Sequence, residues 1–286
     1  MTTTKTKPKA WTRVTTIANT LADRYALEQW AQRQTVLGLG AREDLYALAA
    51  SSTPDDKAQL GKIVAQAQEA AKSRSGANLG TALHRLTERI DSGEILDVPH
   101  QWRPDVDAYC QTLADNRVRI HPNWIERVVV IPDMGAAGTL DRMVTIGDSV
   151  ELTIADLKTG ASADRFGHGE IAVQLALYAN ATHVWRGTTD QIQRDQYGRY
   201  LLPDPTEEPE AYEPMPPVNK QRALMIHLPV QTGTCGLYEI DIKSGIVAAG
   251  YASWVRDWRK RDDLAWPLNP APFNGGGGAT NPDDDW

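Results

Sequence analysis

Two apolar runs separated by a short polar turn constrain the fold more than any other part of the chain. Residues 139–146 and 150–158 are rich in Val, Ile, Leu and Thr, and residues 147–149 between them read Gly-Asp-Ser. This arrangement is typical of two antiparallel strands joined by a tight turn. The midpoint between Asp141 and Asp156 falls between residues 148 and 149, inside the turn, so we expect the two aspartates to face each other with Cβ atoms roughly 5 Å apart. A register shifted by one residue would send one aspartate to the opposite face.

Lys158 lies two residues after Asp156 and therefore shares its face of the strand. Two opposed carboxylates repel each other unless a cation lies between them. Mg²⁺ and Mn²⁺ both prefer carboxylate and carbonyl oxygens as ligands. The hairpin therefore predicts a divalent-metal site with a lysine beside it.

The pattern Asp-x-Lys is not specific by itself, because it occurs twice more in the chain. Residues 55–57 follow the polar stretch Ser51-Ser-Thr-Pro54 and read as the start of a helix, where acids favour the helix dipole. Residues 241–243 end an apolar strand without an opposed acid and read as a solvated strand end. Only Asp156-Leu-Lys158 has a partner acid across a turn.

Two predicted helices carry further polar pairs. In residues 169–186, Gln174 and Tyr178 are four apart and share a helix face. Upstream, His84 and Glu88 show the same spacing. A single histidine on such a helix is more often a surface or core residue, so its meaning depends on the other motifs. The apolar stripe of this upstream helix comprises Leu79, Leu83, Leu86 and Ile90.

The order of these motifs resembles the RecB-like branch of the PD-(D/E)XK nuclease superfamily. Five elements carry the resemblance, and their order and spacing make it specific. In chain order they are Gly80-x-x-x-His84, Glu126, Gly138-Thr-Leu-Asp141, Asp156-Leu-Lys158-Thr-Gly160 and Gln174-x-x-x-Tyr178. A looser likeness joins Arg13-Val-Thr-Thr-Ile17 and Trp30 to the N-terminal region of phage-type exonucleases in this branch.

The resemblance implies an α/β fold with a mixed central β-sheet flanked by helices, a restriction-endonuclease-like core and an N-terminal helical cap. It implies a divalent-metal-dependent deoxyribonuclease, with Lys158 serving the attacking water. Gln174 and Tyr178 would shape the active site and contact the nucleic acid. Glu88 and Glu126 would lie next to the metal ligands and help to position them without binding the metal. The implied ligands of Mg²⁺ or Mn²⁺ are His84, Asp141, Asp156 and the carbonyl of Leu157.

The prediction of an exonuclease that acts in recombination, repair or phage replication comes from the family resemblance and not from the residue chemistry. Two other functions stay open: a non-catalytic nucleic-acid-binding or scaffold protein on the same fold, and a structure-specific endonuclease. Intact Asp141, Asp156, Lys158 and Gln174 argue against the scaffold, because an inactive site has no physical reason to keep two repelling carboxylates opposed.

Composition adds limits rather than a function. The formal net charge of −7 over 286 residues disfavours a nonspecific polyanion binder, although an acidic enzyme can meet DNA through a local basic groove. Each arginine alone is more simply a solvated surface charge. The candidates for such a groove are Arg13, Arg74, Arg85 and Arg165, together with the basic run Arg256, Arg259, Lys260 and Arg261.

The two cysteines, Cys110 and Cys235, lack Cys-x-x-Cys spacing. We therefore expect neither a zinc site nor an iron–sulfur cluster built from cysteine. No run of 18 apolar residues exists, and the first residues lack the apolar segment of a secretory signal. We expect a cytoplasmic protein with reduced cysteines and no membrane association.

The domain organisation is predicted as one core with appendages. Residues 1–10 are expected to be a disordered basic arm, 11–78 an N-terminal helical region and 79–265 the nuclease core. Within the core, residues 187–220 form a Pro- and Glu-rich insertion. Its second half, residues 201–218, has six prolines, five acids and no basic residue, and therefore predicts an exposed loop.

The C-terminal part is expected to contain a hairpin of residues 223–230 and 236–242, and then a helix of residues 244–261. Trp254 and Trp258 on that helix are four apart and are expected in the core rather than on a surface that stacks with nucleic-acid bases. Residues 266–286 are predicted to be a flexible acidic tail. Its end, Asn281-Pro-Asp-Asp-Asp-Trp286, resembles the acidic, aromatic-terminated tip of bacterial single-stranded-DNA-binding proteins. A solubilising tail and a docking peptide for a replication or recombination partner both stay open.

Overall fold

The computed structural model describes residues 7–71 and 75–266. Arg74, the first six residues of the predicted arm and residues 267–286 of the predicted tail lie outside these ranges. Within them, the α-helices are α1 (Val14–Ala18), α2 (Tyr25–Gly40), α3 (Glu43–Ser51), α4 (Lys57–Ala70), α5 (Ser75–Asp91), α6 (Arg103–Asp115), α7 (His168–Ala179) and α8 (Ile242–Trp258). The strands are β1 (Lys9–Arg13), β2 (Val118–Ile131), β3 (Ala136–Ile146), β4 (Thr153–Lys158), β5 (His183–Trp185), β6 (Gln193–Arg194), β7 (Tyr200–Leu202), β8 (Tyr212–Pro214), β9 (Arg222–His227) and β10 (Gly236–Asp241).

The strands form one mixed sheet in the order β10-β9-β4-β3-β1-β7-β6. Strand β2 also pairs with β3 and extends the sheet through β5 to β8. The pairs β4/β9 and β1/β3 are parallel, whereas β3/β4, β2/β3 and β9/β10 are antiparallel. The predicted fold class is confirmed: an α/β fold with a mixed sheet, flanking helices and helices near the N-terminus.

The sheet is packed between two groups of helices. One apolar cluster joins α1, α7 and α8 to side chains such as Ile154 and Met225, and the other joins α5 and α6 to Leu157 and Ile226. Consecutive residues of one strand thus contribute to different clusters, as the alternation of side chains in a strand requires. Full burial of such a side chain stabilises the fold by roughly 1.5–3 kcal/mol. The two apolar clusters therefore hold the two groups of helices against the centre of the sheet.

The N-terminal region is not helical throughout. Lys9 and Ala10, predicted to lie in a disordered arm, belong to β1, which pairs with β7. Lys9 Nζ lies 2.8 Å from an oxygen of Asp204 and over the ring of the fully buried Trp11. The pairing with β7 and the contact between Lys9 and Asp204 join residues about 190 positions apart and could not be read from a local pattern. The rest of this region is mainly helical, and α2 ends at Gly40 and α3 at Ser51.

The predicted helix over residues 169–186 is too long. Helix α7 ends at Ala179, and residues 183–185 form β5, which pairs with β2 and β8. The expectation of an exposed loop in residues 201–218 is also wrong in part. Tyr200, Leu202 and Tyr212 are buried with Trp11 in an apolar cluster, because short strands of the insertion pair with the edges of the sheet.

The predicted C-terminal hairpin is present as β9 and β10, and α8 follows it. The expectation that Trp254 and Trp258 lie in the core is wrong: both are exposed and stack on each other, with ring centroids 5.3 Å apart. Small residues on another face of α8, such as Gly245 and Ala249, make its contact with the core. Among the described residues, no helix combines the length and the apolar character needed to cross a membrane.

Candidate metal centre

The hairpin of β3 and β4 has the predicted register. Arg142 pairs with Ala155, and the next two pairs follow in step, so the same register places Asp141 opposite Asp156. Both aspartates are buried, with 6% and 5% of their surfaces exposed. The second strand begins at Thr153 rather than at residue 150. The opposition of the two carboxylates is therefore a property of the ladder and not of the turn.

Glu126 extends this pair into a row of three acids. In the β2/β3 ladder, Ile125 pairs with Arg142 and Arg127 with Leu140, so Glu126 lies opposite Asp141. Its backbone φ of +52° is left-handed, which is uncommon for a residue other than glycine, and it follows an irregularity of the ladder. Burial, together with nearby carboxylates, raises the pKa of Glu126 to about 8. The three acids on adjacent strands thus repel one another when ionised, and a nearby positive charge would stabilise them.

Helix α5 adds two ligand candidates to this row. His84, Glu88 and Asp141 each offer one ligand atom, and these atoms all lie within 4.8 Å of one another. Burial and the Asp141 carboxylate raise the pKa of Glu88. The helix can approach because position 80 is glycine: a Cβ on Gly80 would lie 2.5 Å from Thr159 Oγ1. The first motif therefore places His84 over the strand ends.

Lys158 and Gln174 hold Asp156 from the other side. Lys158 Nζ forms an ion pair with Asp156 Oδ2 at 2.7 Å, and Gln174 Nε2 donates to Asp156 Oδ1 at 3.2 Å. Lys158 Nζ also donates to Gln174 Oε1 at 3.5 Å. Burial dominates the environment of Asp156 and raises its pKa, while Lys158 acts in the opposite direction. Gln174 thus bridges the acid and the lysine.

Tyr178 is packed next to this bridge. Its hydroxyl lies 3.5 Å from Gln174 Nε2, and burial raises its pKa well above the ordinary value. The ring lies against Gly138, where an added Cβ would be 2.8 Å from Tyr178 Cε1 and 3.0 Å from Val14 Cβ. The glycine of the third motif therefore lets α1 and α7 lie close to β3.

Both oxygens of Asp141 have protein donors. The Leu157 amide donates to Oδ2 at 2.6 Å, and Arg142 Nη2 donates to Oδ1 at 3.2 Å. Leu157 is thus tied to the site through its N–H, whereas ligation by its carbonyl stays a prediction. Sequence reasoning missed Arg142, although an arginine inside the apolar run of residues 139–146 is a signal, since arginine is almost never fully buried without partners.

The predicted DNA-contacting arginines are less closely assembled. Arg85 is exposed on α5 next to His84, and Arg165 is exposed in the loop before α7, with its guanidinium over the Phe166 ring. Arg13 pairs with Ala137, four residues before Asp141, which is about 13 Å along the strand. The side chains of Arg13, Arg85 and Arg165 do not form one contiguous groove through any described contact, and their role stays a prediction.

The donor set fits a hard divalent cation. The carboxylates of Glu88 and Asp141 offer ligand atoms within 4.8 Å of each other. Glu126 and Asp156 lie opposite Asp141 on the two neighbouring strands, and Lys158 contacts Asp156. Mg²⁺ and Mn²⁺ are suited to several carboxylates, and one imidazole ligand favours Mn²⁺. Structural zinc sites rely instead on cysteine and histidine. The residues present therefore agree with the predicted Mg²⁺ or Mn²⁺ better than with zinc.

No protein-family model and no curated protein matches this chain. The likeness to RecB-like nucleases therefore rests on the five motifs between Gly80 and Tyr178. These motifs come from α5, β2, β3, β4 and α7, which are separated along the chain.

Proposed function

We propose that this chain is a divalent-metal-dependent deoxyribonuclease of the RecB-like type that hydrolyses phosphodiester bonds. The observation that carries the proposal is the opposition of Asp141 and Asp156 across β3 and β4, with Lys158 Nζ 2.7 Å from Asp156. Each of the two carboxylates is paired with one protein cation, Asp156 with Lys158 and Asp141 with Arg142. Glu88 and Glu126 add further carboxyl groups beside Asp141, so the acids outnumber the cations and a metal ion would reduce their repulsion. A site that keeps them together with a lysine has the components of metal-assisted hydrolysis.

The protein groups that would hold Mg²⁺ or Mn²⁺ are His84, Glu88, Asp141 and Asp156, with the Leu157 carbonyl as a further donor. When bound, such a cation supplies Lewis-acid stabilisation for the charge that develops on the phosphoryl and leaving oxygens. Protons held by these carboxyl groups in the absence of metal would be released on binding. The raised pKa of Glu88 and of Asp156 agrees with such an exchange.

Lys158 would act on the attacking water. Its ammonium is held at the edge of the acid row by Asp156 and Gln174, so its position is fixed before substrate binds. A positive charge at that point stabilises the developing negative charge and orients a water through an N–H donor. Gln174 donates to Asp156 and accepts from Lys158, so it sets the distance between the acid and the lysine. Tyr178 limits the movement of Gln174.

DNA is the proposed substrate, and action at DNA ends in recombination, repair or phage replication follows from the branch resemblance. Arg13, Arg74, Arg85 and Arg165 are the proposed contacts to the phosphate backbone. A cytoplasmic location belongs to the same proposal. The acidic segment 266–286 is proposed as the attachment point for a replication or recombination partner.

The first experiment compares end-labelled linear DNA with covalently closed circular DNA, each single- and double-stranded, in Mg²⁺, Mn²⁺ or EDTA. Lys158→Ala is the test variant. The chain offers a matched control in Lys243→Ala, because Lys243 belongs to another Asp-x-Lys pattern at the start of α8, where Asp241 accepts from Ser244 and caps the helix. We expect metal-dependent loss of linear DNA with the wild type and Lys243→Ala, and none with Lys158→Ala.

Other outcomes separate the alternatives. Cutting of closed circles would favour a structure-specific endonuclease. DNA binding without cleavage in any metal would favour the scaffold function. Equal cleavage by Lys158→Ala and the wild type would refute the proposed role of the lysine.

A further inference from the structure

Beside the acid row lies an arginine that has no solvent contact. The Arg142 side chain is 0% exposed, and its guanidinium reaches two groups of residues. On one side Nη1 donates to the Tyr109 hydroxyl at 2.8 Å and lies 3.4 Å from Asp91 Oδ2. On the other side Nη2 donates to Asp141 Oδ1 at 3.2 Å and lies 3.5 Å from Thr87 Oγ1.

Such a placement is expensive, because removing a guanidinium from water costs several kcal/mol even when the group is paired. Replacing a buried ion pair by apolar side chains is often neutral or stabilising. Stability alone therefore does not account for Arg142. Its partners give a second reason, since they tie Asp141 to a network anchored on α5 and α6. The network includes Tyr109, whose hydroxyl also lies 2.8 Å from Asp91 Oδ2.

Asp141 is held at both of its oxygens. Arg142 Nη2 donates to Oδ1, and the Leu157 amide donates to Oδ2. These two bonds fix the plane of the carboxylate, yet each oxygen keeps a second lone pair for another partner. A ligand oriented in advance by hydrogen bonds loses less conformational freedom on binding a metal, and such supporting bonds typically contribute about 10–100-fold to metal affinity.

We propose that Arg142 is a positioning residue that holds the Asp141 carboxylate in the orientation in which it binds the divalent cation. This role rests on the proposed metal-dependent function. An arginine is required because its planar fork serves Tyr109 and Asp91 through one nitrogen and Asp141 through another. A lysine at the same position keeps the charge but cannot serve both sides with fixed geometry.

The test is Arg142→Lys, with Mn²⁺ binding measured by titration calorimetry in the absence of DNA. We expect the dissociation constant for Mn²⁺ to rise about tenfold or more. The Mn²⁺ concentration that half-saturates cleavage of linear DNA should rise by the same factor. At saturating Mn²⁺, kcat should return to within about threefold of the wild type, because the residue acts through metal binding.

Two further variants separate positioning from general damage to the fold. Asp105→Asn alters another fully buried acid on α6, which accepts from the amides of Gln231 and Gly233 and does not contact Asp141. This control should lower stability and leave Mn²⁺ affinity unchanged. Tyr109→Phe removes the hydroxyl on α6 that accepts from Arg142 Nη1 at 2.8 Å with little change in volume, and we expect it to weaken Mn²⁺ binding in the same direction. It decides the question if Arg142→Lys does not fold.

Wild-type Mn²⁺ affinity in Arg142→Lys would overturn the role of Arg142. The same conclusion would follow if Asp105→Asn weakened Mn²⁺ binding as much as Arg142→Lys does, or if Tyr109→Phe left it unchanged when Arg142→Lys is unfolded. Absence of Mn²⁺ binding and cleavage in the wild type would instead overturn the metal centre itself. The two failures are therefore distinguishable.

Discussion

Replacing Glu126 by glutamine should make the metal-free protein more stable at alkaline pH. The pKa of Glu126 is raised from its ordinary value of 4.5 to about 8, with burial as the largest cause. Between these two values the folded state binds more protons than the unfolded state, so stability falls as the pH rises from 4.5 towards 8. At about 1.4 kcal/mol per tenfold change in proton affinity, the upper bound is about 5 kcal/mol.

The expected effect is smaller than this bound, because Glu126 is not fully buried and neighbouring acids share the cost. We expect Glu126→Gln to exceed the wild type by about 2 kcal/mol in the free energy of unfolding at pH 8 in EDTA, and by less than about 0.5 kcal/mol at pH 4.5. Urea denaturation at the two pH values measures both differences. Adding Mn²⁺ at pH 8 should narrow the gap, since the cation stabilises the ionised carboxyl.

The control for this prediction is Glu210→Gln, which removes an exposed carboxylate in the insertion. It should leave the difference between pH 4.5 and pH 8 as in the wild type. The reasoning would be refuted if Glu126→Gln lost stability with pH as steeply as the wild type does. It would also be refuted if the glutamine variant were less stable than the wild type at pH 8 in EDTA.

Three other perturbations test the packing and the charge of the site. Gly138→Ala should lower the free energy of unfolding by about 1–3 kcal/mol, because the added methyl group would lie 2.8 Å from the Tyr178 ring, and urea denaturation would show it. Gly80→Ala should reduce cleavage by pushing α5 away from Thr159 Oγ1, and the double variant Gly80→Ala/Thr159→Ala should recover activity in the same assay. Mn²⁺ at 100 times its dissociation constant should stabilise the wild type by about 2.7 kcal/mol, and Asp156→Asn should lose most of this gain in a thermal melt.

Local patterns predicted the elements whose apolar residues follow a regular period. The register of β3 and β4 was predicted correctly, because two apolar runs close together in sequence pair antiparallel, although β4 begins at Thr153 and the connection is longer than the predicted three residues. The patterns failed where pairing is non-local. Strand β1 depends on β7, and β8 depends on β5, so the residues that stabilise each of these strands are far away in sequence.

The candidate site was likewise predictable where it depends on local sequence and unpredictable where it depends on non-local contacts. The spacing of Asp156 and Lys158 fixes their contact within one strand, and this contact was predictable. The position of Glu126 opposite Asp141 depends on an irregular ladder between β2 and β3, which no periodicity reveals. The network of Arg142, Tyr109 and Asp91 joins three separate elements. The sequence shows only one sign of this network, which is that Arg142 is a charged residue inside an apolar run.

The elements that build the site also explain why its acids can be held together without metal. Asp141 is bound by the Leu157 amide of the neighbouring strand, and Asp156 by Lys158 of its own strand and by Gln174 of α7. Lys158 and Arg142 offset only part of the negative charge, and protonation of groups such as Glu126 relieves the repulsion that remains. Binding a cation replaces those protons in a frame that is already formed. Metal affinity, proton release and stability at alkaline pH are therefore linked through the carboxyl groups of the site, and a variant that removes one of these groups should change all three.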